Sequence, residues 1–98
     1  HADRILGRVY MDMGDTIAAG QVFNRALKAS PDDSKLWTEI ARYRLVIANQ
    51  GGAIEAADHA LKLDPNNVRA LELRGRLVRT QFGVVAALPW FERALQVG

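Results

Sequence analysis

The sequence repeats itself with a period of 34 residues, and this period constrains the fold more than any other feature. The stretch Ala60 to Asn67 reads ALKLDPNN, and 34 residues earlier Ala26 to Asp33 reads ALKASPDD. Small residues and leucine recur with the same offset: Gly7, Ala41, Gly75; Ala19, Ala53, Ala87; Ala26, Ala60, Ala94; and Leu27, Leu61, Leu95. A period of this length is typical of units that bury their apolar faces only by stacking on one another.

Each period contains two segments with apolar residues at helical spacing, separated by glycine or proline. The predicted helices run from Ala2 to Met13, Ile17 to Ala29, Lys35 to about Asn49, Ala53 to Leu63, Asn67 as a cap to about Phe82, and about Val84 to Val97. No alternating apolar and polar run predicts a strand. The pattern therefore predicts an all-α protein of three antiparallel helical hairpins.

Three departures from regularity carry their own predictions. Gly51-Gly52 is expected to break the pattern between the third and fourth helices. Pro89 falls inside the sixth helix, where we expect a kink or a delayed start. Arg74 stands at a packing position, so we expect either a loosened third unit or a side chain that keeps its head in water.

Composition excludes several classes of protein. The 98 residues contain no cysteine, which removes disulfides and thiolate chemistry, and 13 basic against 11 acidic residues give a net charge of only +2. No apolar run approaches the roughly 18 residues of a membrane span. We expect a soluble protein without membrane insertion; the sequence does not fix its compartment, although we favour the cytoplasm. Since the chain begins at His1, we also expect a piece of a longer protein.

The repeated residues resemble the tetratricopeptide repeat family. They are Leu6-Gly7, Tyr10, Gly14, Ala19, Phe23, Ala26 and Pro31 in the first unit, Trp37, Ile40-Ala41, Ala53, Ala60 and Pro65 in the second, and Gly75, Ala87, Phe91 and Ala94 in the third. The resemblance implies a right-handed α-superhelix (α-solenoid) in one domain over residues 1–98, with repeats at about 1–33, 34–67 and 68–98. It also implies a scaffold for protein–protein interaction.

In this family the first helix of each repeat lines a concave groove that receives an extended peptide or a partner helix. By register, the groove residues here are Arg4, Arg8, Lys35, Thr38, Arg42, Arg69, Glu72, Arg76 and Arg79. Arg8, Arg42 and Arg76 form one column at the repeat offset, and His1, Lys35 and Arg69 form another. The columns predict an acidic ligand, bound through forked guanidinium contacts. The plainer alternative is that these arginines are solvated helix formers.

Some family members clamp a terminal carboxylate with a lysine, two asparagines, a lysine and an arginine. Those register positions hold Arg4, Arg8, Glu39, Arg69 and Leu73 here. Both asparagines and the arginine are replaced, which disfavours that specific clamp. Glu39 and Glu72 are expected to weaken the positive field locally and to select a ligand with a matching cation.

Two alternatives to a groove ligand remain open. The chain could be an architectural spacer or a self-association module that pairs through exposed terminal helices, since the outer face of the sixth helix is expected to be apolar. Trp90 and Leu95 are the candidate interface residues. RNA binding is less favoured, because Tyr10, Trp37 and Tyr43 fall on or near packing positions and the net charge is low.

Catalysis is not expected. His59 lies beside Asp58 on the second helix of its hairpin, where a surface role is the simpler interpretation. The aspartate pairs at 12 and 15 and at 32 and 33 sit at turns and are expected to cap helices. No phosphate-binding glycine loop, metal motif or cofactor site is found in the sequence.

Overall fold

The computed structural model describes residues 2–97 and contains six α-helices in that range. They are α1 (Ala2–Asp12), α2 (Thr16–Ala29), α3 (Ser34–Val46), α4 (Gln50–Leu63), α5 (Val68–Phe82) and α6 (Val84–Val97). Residues 2–97 contain no strand, so the all-α prediction is confirmed. Among these helices none combines the length and apolar character needed to cross a bilayer.

Side-chain caps start four of the helices. Asp15, Asp33, Asn49 and Asn67 each accept a hydrogen bond from a backbone N–H in the first turn of α2, α3, α4 and α5. Such a cap satisfies an amide that has no partner within the helix, and removing one costs about 1 kcal/mol. Gly83 occupies the equivalent register position before α6 and has no side chain to contribute. Caps at Asp15, Asp33 and Asn67 were predicted from the sequence, and they are confirmed.

The predicted boundary between the third and fourth helices is wrong. α3 ends at Val46, and Ala48 adopts the left-handed conformation with φ 64°. The N–H groups of Ala48 and Asn49 then bond to the carbonyls of Leu45 and Arg44, at 3.0 and 2.8 Å, which closes the helix end. Because Asn49 caps α4, Gly51 and Gly52 lie inside its first turn and break nothing.

Consecutive helices pair into three hairpins, α1–α2, α3–α4 and α5–α6, and the hairpins stack through α2 on α3 and α4 on α5. α1 also contacts α3, and α3 contacts α5, so these three helices form one layer. Phe23 and Leu36 are the largest fully buried side chains. The inner face of α4 consists of alanines with no exposed surface (Ala53, Ala56, Ala57 and Ala60), which lets its neighbours approach closely.

In the first and third hairpins, a glycine on one helix faces a phenylalanine ring on the other. A β-carbon at Gly7 would overlap the ring of Phe23, and one at Gly75 would lie 2.9 Å from Cε1 of Phe91. In the middle hairpin the equivalent positions hold Ala41 and Ala57, both fully buried. The glycines on α1 and α5 therefore make room for the rings on α2 and α6.

Apolar side chains remain exposed at both ends of the stack. On α1 they are Ile5, Leu6 and Val9, with Met13 just after its end, and on α6 they are Val84, Val85, Leu88, Leu95 and Val97. Leu88 and Leu95 are exposed because nothing in the described chain covers that side of α6. Ile47, which lies beyond the last turn of α3, is exposed as well. An exposed apolar face on α6 was predicted, and it is confirmed.

The third hairpin corrects two further predictions. α6 begins at Val84 and runs continuously through Pro89, so the delayed start is wrong. Arg74 keeps only 18% of its side chain exposed: its Nε donates to Asp58 at 2.8 Å, and its guanidinium lies 5.3 Å from the centre of the Trp90 ring. The head is therefore held between α4 and α6 and does not point freely into water.

Candidate functional site

The layer of first helices, α1, α3 and α5, forms a continuous groove on one side of the stack. Its first cleft has a volume of about 540 Å³ and lies between α1, the start of α3 and the turn that leads into α5. The lining residues are Arg4, Ile5, Arg8, Lys35, Thr38, Glu39, Asp64, Asn66, Asn67, Val68 and Arg69. Four of them are basic, and they come from three different helices.

A second cleft of about 420 Å³ continues the first along the same layer. It is lined by Arg8, Thr38, Arg42, Arg69, Glu72, Leu73 and Arg76. Arg8, Thr38 and Arg69 belong to both linings, so the two clefts are parts of one open surface. We call the two clefts together the arginine groove.

Glu39 is the electrostatic centre of the arginine groove. Its side chain is only 4% exposed, and its carboxylate oxygens lie 3.5 Å from Nη1 of Arg42 and 3.8 Å from Nη1 of both Arg8 and Arg69. One buried negative charge thus draws together guanidinium groups from α1, α3 and α5. A buried carboxylate would be costly without such partners.

The three arginines stay accessible while they surround Glu39. Their side chains are 41% exposed for Arg8, 44% for Arg42 and 71% for Arg69. The distances to Glu39 exceed those of close charge-assisted hydrogen bonds, about 2.7–2.9 Å. The guanidinium groups therefore keep N–H donors that can turn toward a ligand. Three positive charges against one negative leave the centre of the groove positive.

The floor of the first cleft is a closed hydrogen-bond network. Asn67 donates from Nδ2 to Ser34 Oγ at 2.8 Å and to Thr38 Oγ1 at 3.0 Å, and its Oδ1 accepts from the N–H of Ala70. Ser34 and Thr38 in turn donate to the carbonyls of Ala60 and Ser34. The network joins the second hairpin to α5 and fixes the rim from which Arg69 projects.

Comparison with known proteins identifies the repeat. The family model described as tetratricopeptide repeat matches residues 1–43. Among curated proteins, tetratricopeptide repeat protein 36 of Danio rerio is 32% identical over 91 residues, which are 89% of this chain and 49% of that protein. The BBSome complex member BBS4 of Bos taurus is 26% identical over 76 residues, 78% of this chain and 15% of that protein.

Solved structures share the same arrangement of hairpins. The second tetratricopeptide domain of Spaghetti (RPAP3), bound to the HSP90 peptide SRMEEVD, superposes with a TM-score of 0.86 at 21% identity and covers 99% of this chain and 90% of that one. The first such domain, bound to the same peptide, gives 0.88 at 20% identity, covering 98% and 78%. MamA gives 0.84 at 21% identity, covering 98% and 56%.

The chain has the tetratricopeptide repeat fold, and its residues 1–43 match the model of that family. It spans less than half the length of the two curated relatives described above. The solved neighbours are all near one-fifth identical, so their likeness establishes the fold.

Most of the groove residues predicted by register lie together. Arg4, Arg8, Lys35, Thr38 and Arg69 line the first cleft, and Arg42, Glu72 and Arg76 line the second with three residues of the first. Arg79 lines neither cleft. His1, predicted in a column with Lys35 and Arg69, lies outside the described residues.

Two residues of the arginine groove have roles that the repeat register alone did not predict. Thr38 is buried, and its hydroxyl is already engaged with Ser34 and Asn67. Glu39 was predicted to weaken the positive field and to select a ligand with a matching cation, but not to lie at the centre of the arginines, where its carboxylate is found. The repeat offset could have found it, because Glu39 shares its register position with Ile5 and with the buried Leu73.

The aromatic residues lie away from the arginine groove. The Trp37 ring packs at a tilt of 50° against His59 with centroids 4.3 Å apart, and Tyr43 packs on Phe23 at 5.6 Å. Trp90, a candidate interface residue, packs within its own hairpin beside Gly75 and Arg74. Leu95, the other candidate, is 82% exposed. Among the described residues no group of three metal-ligating side chains comes together.

Proposed function

We propose that this tetratricopeptide unit is a non-catalytic binding module that holds an extended acidic segment of a partner protein in the arginine groove. The observation that carries the proposal is the convergence of Arg8, Arg42 and Arg69, from three helices, on one open surface. Carboxylates suit these donors because a guanidinium can make two parallel hydrogen bonds to one of them.

The shape of the groove supports an extended ligand. The two clefts run along α1, α3 and α5 in sequence, and Arg76 continues the column beyond Glu39. A peptide lying along this layer could place successive acidic side chains near Arg4 and Lys35, then Arg8 and Arg69, then Arg42 and Arg76. Concave surfaces of one charge also raise the rate at which oppositely charged ligands associate.

Two structural neighbours lend support of a general kind. Both tetratricopeptide domains of Spaghetti were solved with the HSP90 peptide SRMEEVD, which carries two glutamates and an aspartate. An acidic peptide is therefore a ligand that this fold can hold. The sequence of this chain's own ligand is a separate question, since the clamp positions differ at Arg8, Glu39 and Leu73.

Charge reversal within the groove tests the proposal. Arg42→Glu and Arg76→Glu should each weaken binding of fluorescent Glu- and Asp-rich peptides by about tenfold or more, since each replaces an attraction with a repulsion. Arg93→Glu is the matched control, because it makes the same charge change on exposed α6 outside both clefts. Circular dichroism should show all three variants folded. Equal loss in Arg93→Glu, or no peptide binding by any protein, would contradict a ligand site in the groove.

A second candidate function, head-to-tail self-association, is favoured by the exposed ends of the stack. On α1, Ile5, Leu6 and Val9 are exposed, while their register partners Leu73, Ile40 and Leu77 are buried where a preceding hairpin packs on them. On α6, Leu95 is exposed, while Leu27 and Leu61 at the same position of the repeat are half-buried. The two ends therefore have the chemistry that joins hairpins inside the chain. We infer that the occupant of each end is a second copy.

Because this interface would join two different faces, mixing can test it. Val9→Glu disables the α1 face and Leu95→Glu disables the α6 face, so each variant alone should be monomeric by analytical ultracentrifugation. A mixture of the two should form a one-to-one dimer, because the intact α6 face of Val9→Glu can bind the intact α1 face of Leu95→Glu. Val46→Glu, which changes an exposed valine at the end of α3, should associate like the wild type. A wild type that stays monomeric at high concentration would exclude this function.

A further inference from the structure

Three guanidinium groups of the arginine groove gather around a single point. Nη1 of Arg8 and Nη1 of Arg69 each lie 3.8 Å from the same oxygen of Glu39, Oε1, and Nη1 of Arg42 lies 3.5 Å from Oε2. Two atoms that lie at one distance from a common oxygen are separated by no more than twice that distance. The three groups therefore form one compact cluster, although they come from three helices. We call Arg8, Arg42 and Arg69 the arginine triad.

The arginine triad faces solvent, whereas Glu39 lies beneath it. Each arginine side chain is at least 41% exposed, and the glutamate side chain is 4% exposed. A ligand that approaches from solvent therefore meets guanidinium groups before it meets the carboxylate. All three arginines also line the clefts of the arginine groove, so a peptide that lies along the groove passes over them.

The positive charge of the arginine triad exceeds what Glu39 neutralises. Three guanidinium groups against one carboxylate leave two net positive charges at this point. A glutamate or aspartate side chain of a ligand brings one negative charge and two oxygens, so one positive charge stays unmatched. A phosphorylated serine or threonine brings about 1.5 to 2 negative charges at pH 7 and three acceptor oxygens, one for each guanidinium group.

RNA is the other macromolecule that could bring phosphate to the arginine triad. Each phosphodiester of RNA carries a single negative charge, and proteins that bind single strands also stack the bases on aromatic side chains. The rings of Trp37 and Tyr43 pack against His59 and Phe23, away from the groove. The charge and the position of the aromatic residues therefore favour a phosphorylated side chain of a protein.

We propose that the arginine triad is a binding site for a phosphorylated serine or threonine within the acidic partner segment. The proposal rests on the groove being the peptide site proposed above. The phosphoryl group anchors the segment at the centre of the groove, while acidic side chains on either side of it meet Arg4, Lys35 and Arg76. Clusters of arginine are a recurrent means of recognising phosphorylated peptides.

Three peptides test the site. They share one acidic sequence and differ at a central position, which holds serine, glutamate or phosphoserine. In calorimetric titrations, the wild type should bind the phosphoserine peptide about tenfold more tightly than the glutamate peptide, and the serine peptide most weakly. Arg8→Gln and Arg69→Gln should each reduce the preference for phosphoserine over glutamate to about threefold or less, because each removes one of the three guanidinium groups.

Two variants outside the arginine triad serve as controls. Arg76→Gln, in the second cleft, should weaken the binding of the glutamate and phosphoserine peptides by a similar factor and so keep the wild-type preference. Arg93→Gln, on the exposed side of α6, should leave both affinities unchanged. Circular dichroism checks that each variant is folded. If Arg8→Gln unfolds, Arg69→Gln still tests the site, because Arg69 is the most exposed member of the triad.

The outcomes separate this inference from the proposed function. If none of the peptides binds the wild type, the groove is not a peptide site, and both proposals are wrong. If the wild type binds the glutamate and phosphoserine peptides equally, only the phosphate site is wrong. If the preference survives in Arg8→Gln and Arg69→Gln, the phosphoryl group binds elsewhere on the molecule. If single-stranded RNA of mixed sequence binds as tightly as the phosphoserine peptide, a protein partner is the wrong source of the phosphate.

Discussion

At the scale of single residues, the most consequential side chain is one that a pattern of charges does not reveal. The 34-residue offset places Arg8, Arg42 and Arg76 in a column, and the structure puts all three on the arginine groove. Glu39 was visible in the sequence as a charge near that column. Its burial and its three partners depend on how α1, α3 and α5 pack, which no local spacing specifies.

A second residue-scale feature is the backbone of Ala48, from which a stability prediction follows. Alanine at φ 64° costs about 1–2 kcal/mol relative to a right-handed residue, and glycine largely avoids that cost. Ala48→Gly should therefore raise the free energy of unfolding by about 1 kcal/mol, as measured by urea denaturation. Gly14, at the same register position with φ 82°, gives the reverse test: Gly14→Ala should lower it by a similar amount. Opposite signs in both variants would contradict these two helix ends.

At the scale of helices and hairpins, periodicity predicted the number, order and most boundaries of the elements. The predicted end of α3 is wrong, because Gly51 and Gly52 were given more weight than the repeat register. That register already aligned Ala48 with Gly14, and Asn49 with the cap Asp15. The delayed start that Pro89 suggested for the sixth helix is also wrong. The start of α6 at Val84 follows the repeat, since Val84 corresponds to Thr16 and Gln50, the first residues of α2 and α4.

The glycine and phenylalanine pairing predicts how a hairpin tolerates added volume. Gly7→Ala should destabilise the fold by about 1–3 kcal/mol, because the new methyl group would overlap the buried Phe23 ring. Gly51→Ala is the matched control: a β-carbon there has open space around it, and loss of chain flexibility should stabilise the protein by about 0.4–1 kcal/mol. Thermal unfolding followed by circular dichroism measures both. If Gly7→Ala left the stability of the protein unchanged, α1 and α2 would be able to move apart without a cost in free energy.

At the scale of the whole molecule, the stack measures 36 × 24 × 19 Å and presents three distinct surfaces: one charged groove and two apolar ends. The sequence predicted the groove lining by family register, and it predicted an apolar outer face on α6. Exposed terminal helices were predicted, but the particular apolar residues exposed on α1 were not, because they have the spacing of a buried stripe. Spacing predicts which residues share a face, and only the stack determines whether that face is covered.

The central claim is that the arginine groove binds an acidic peptide through its converging guanidinium groups. The most direct measurement is the affinity of one acidic peptide for the wild type and for Arg42→Glu at low and at moderate salt. The account predicts clear binding by the wild type that weakens as salt screens the charges, and little binding by the folded variant at either salt. Binding that ignores both salt and the substitution would contradict the claim and place the ligand elsewhere on the molecule.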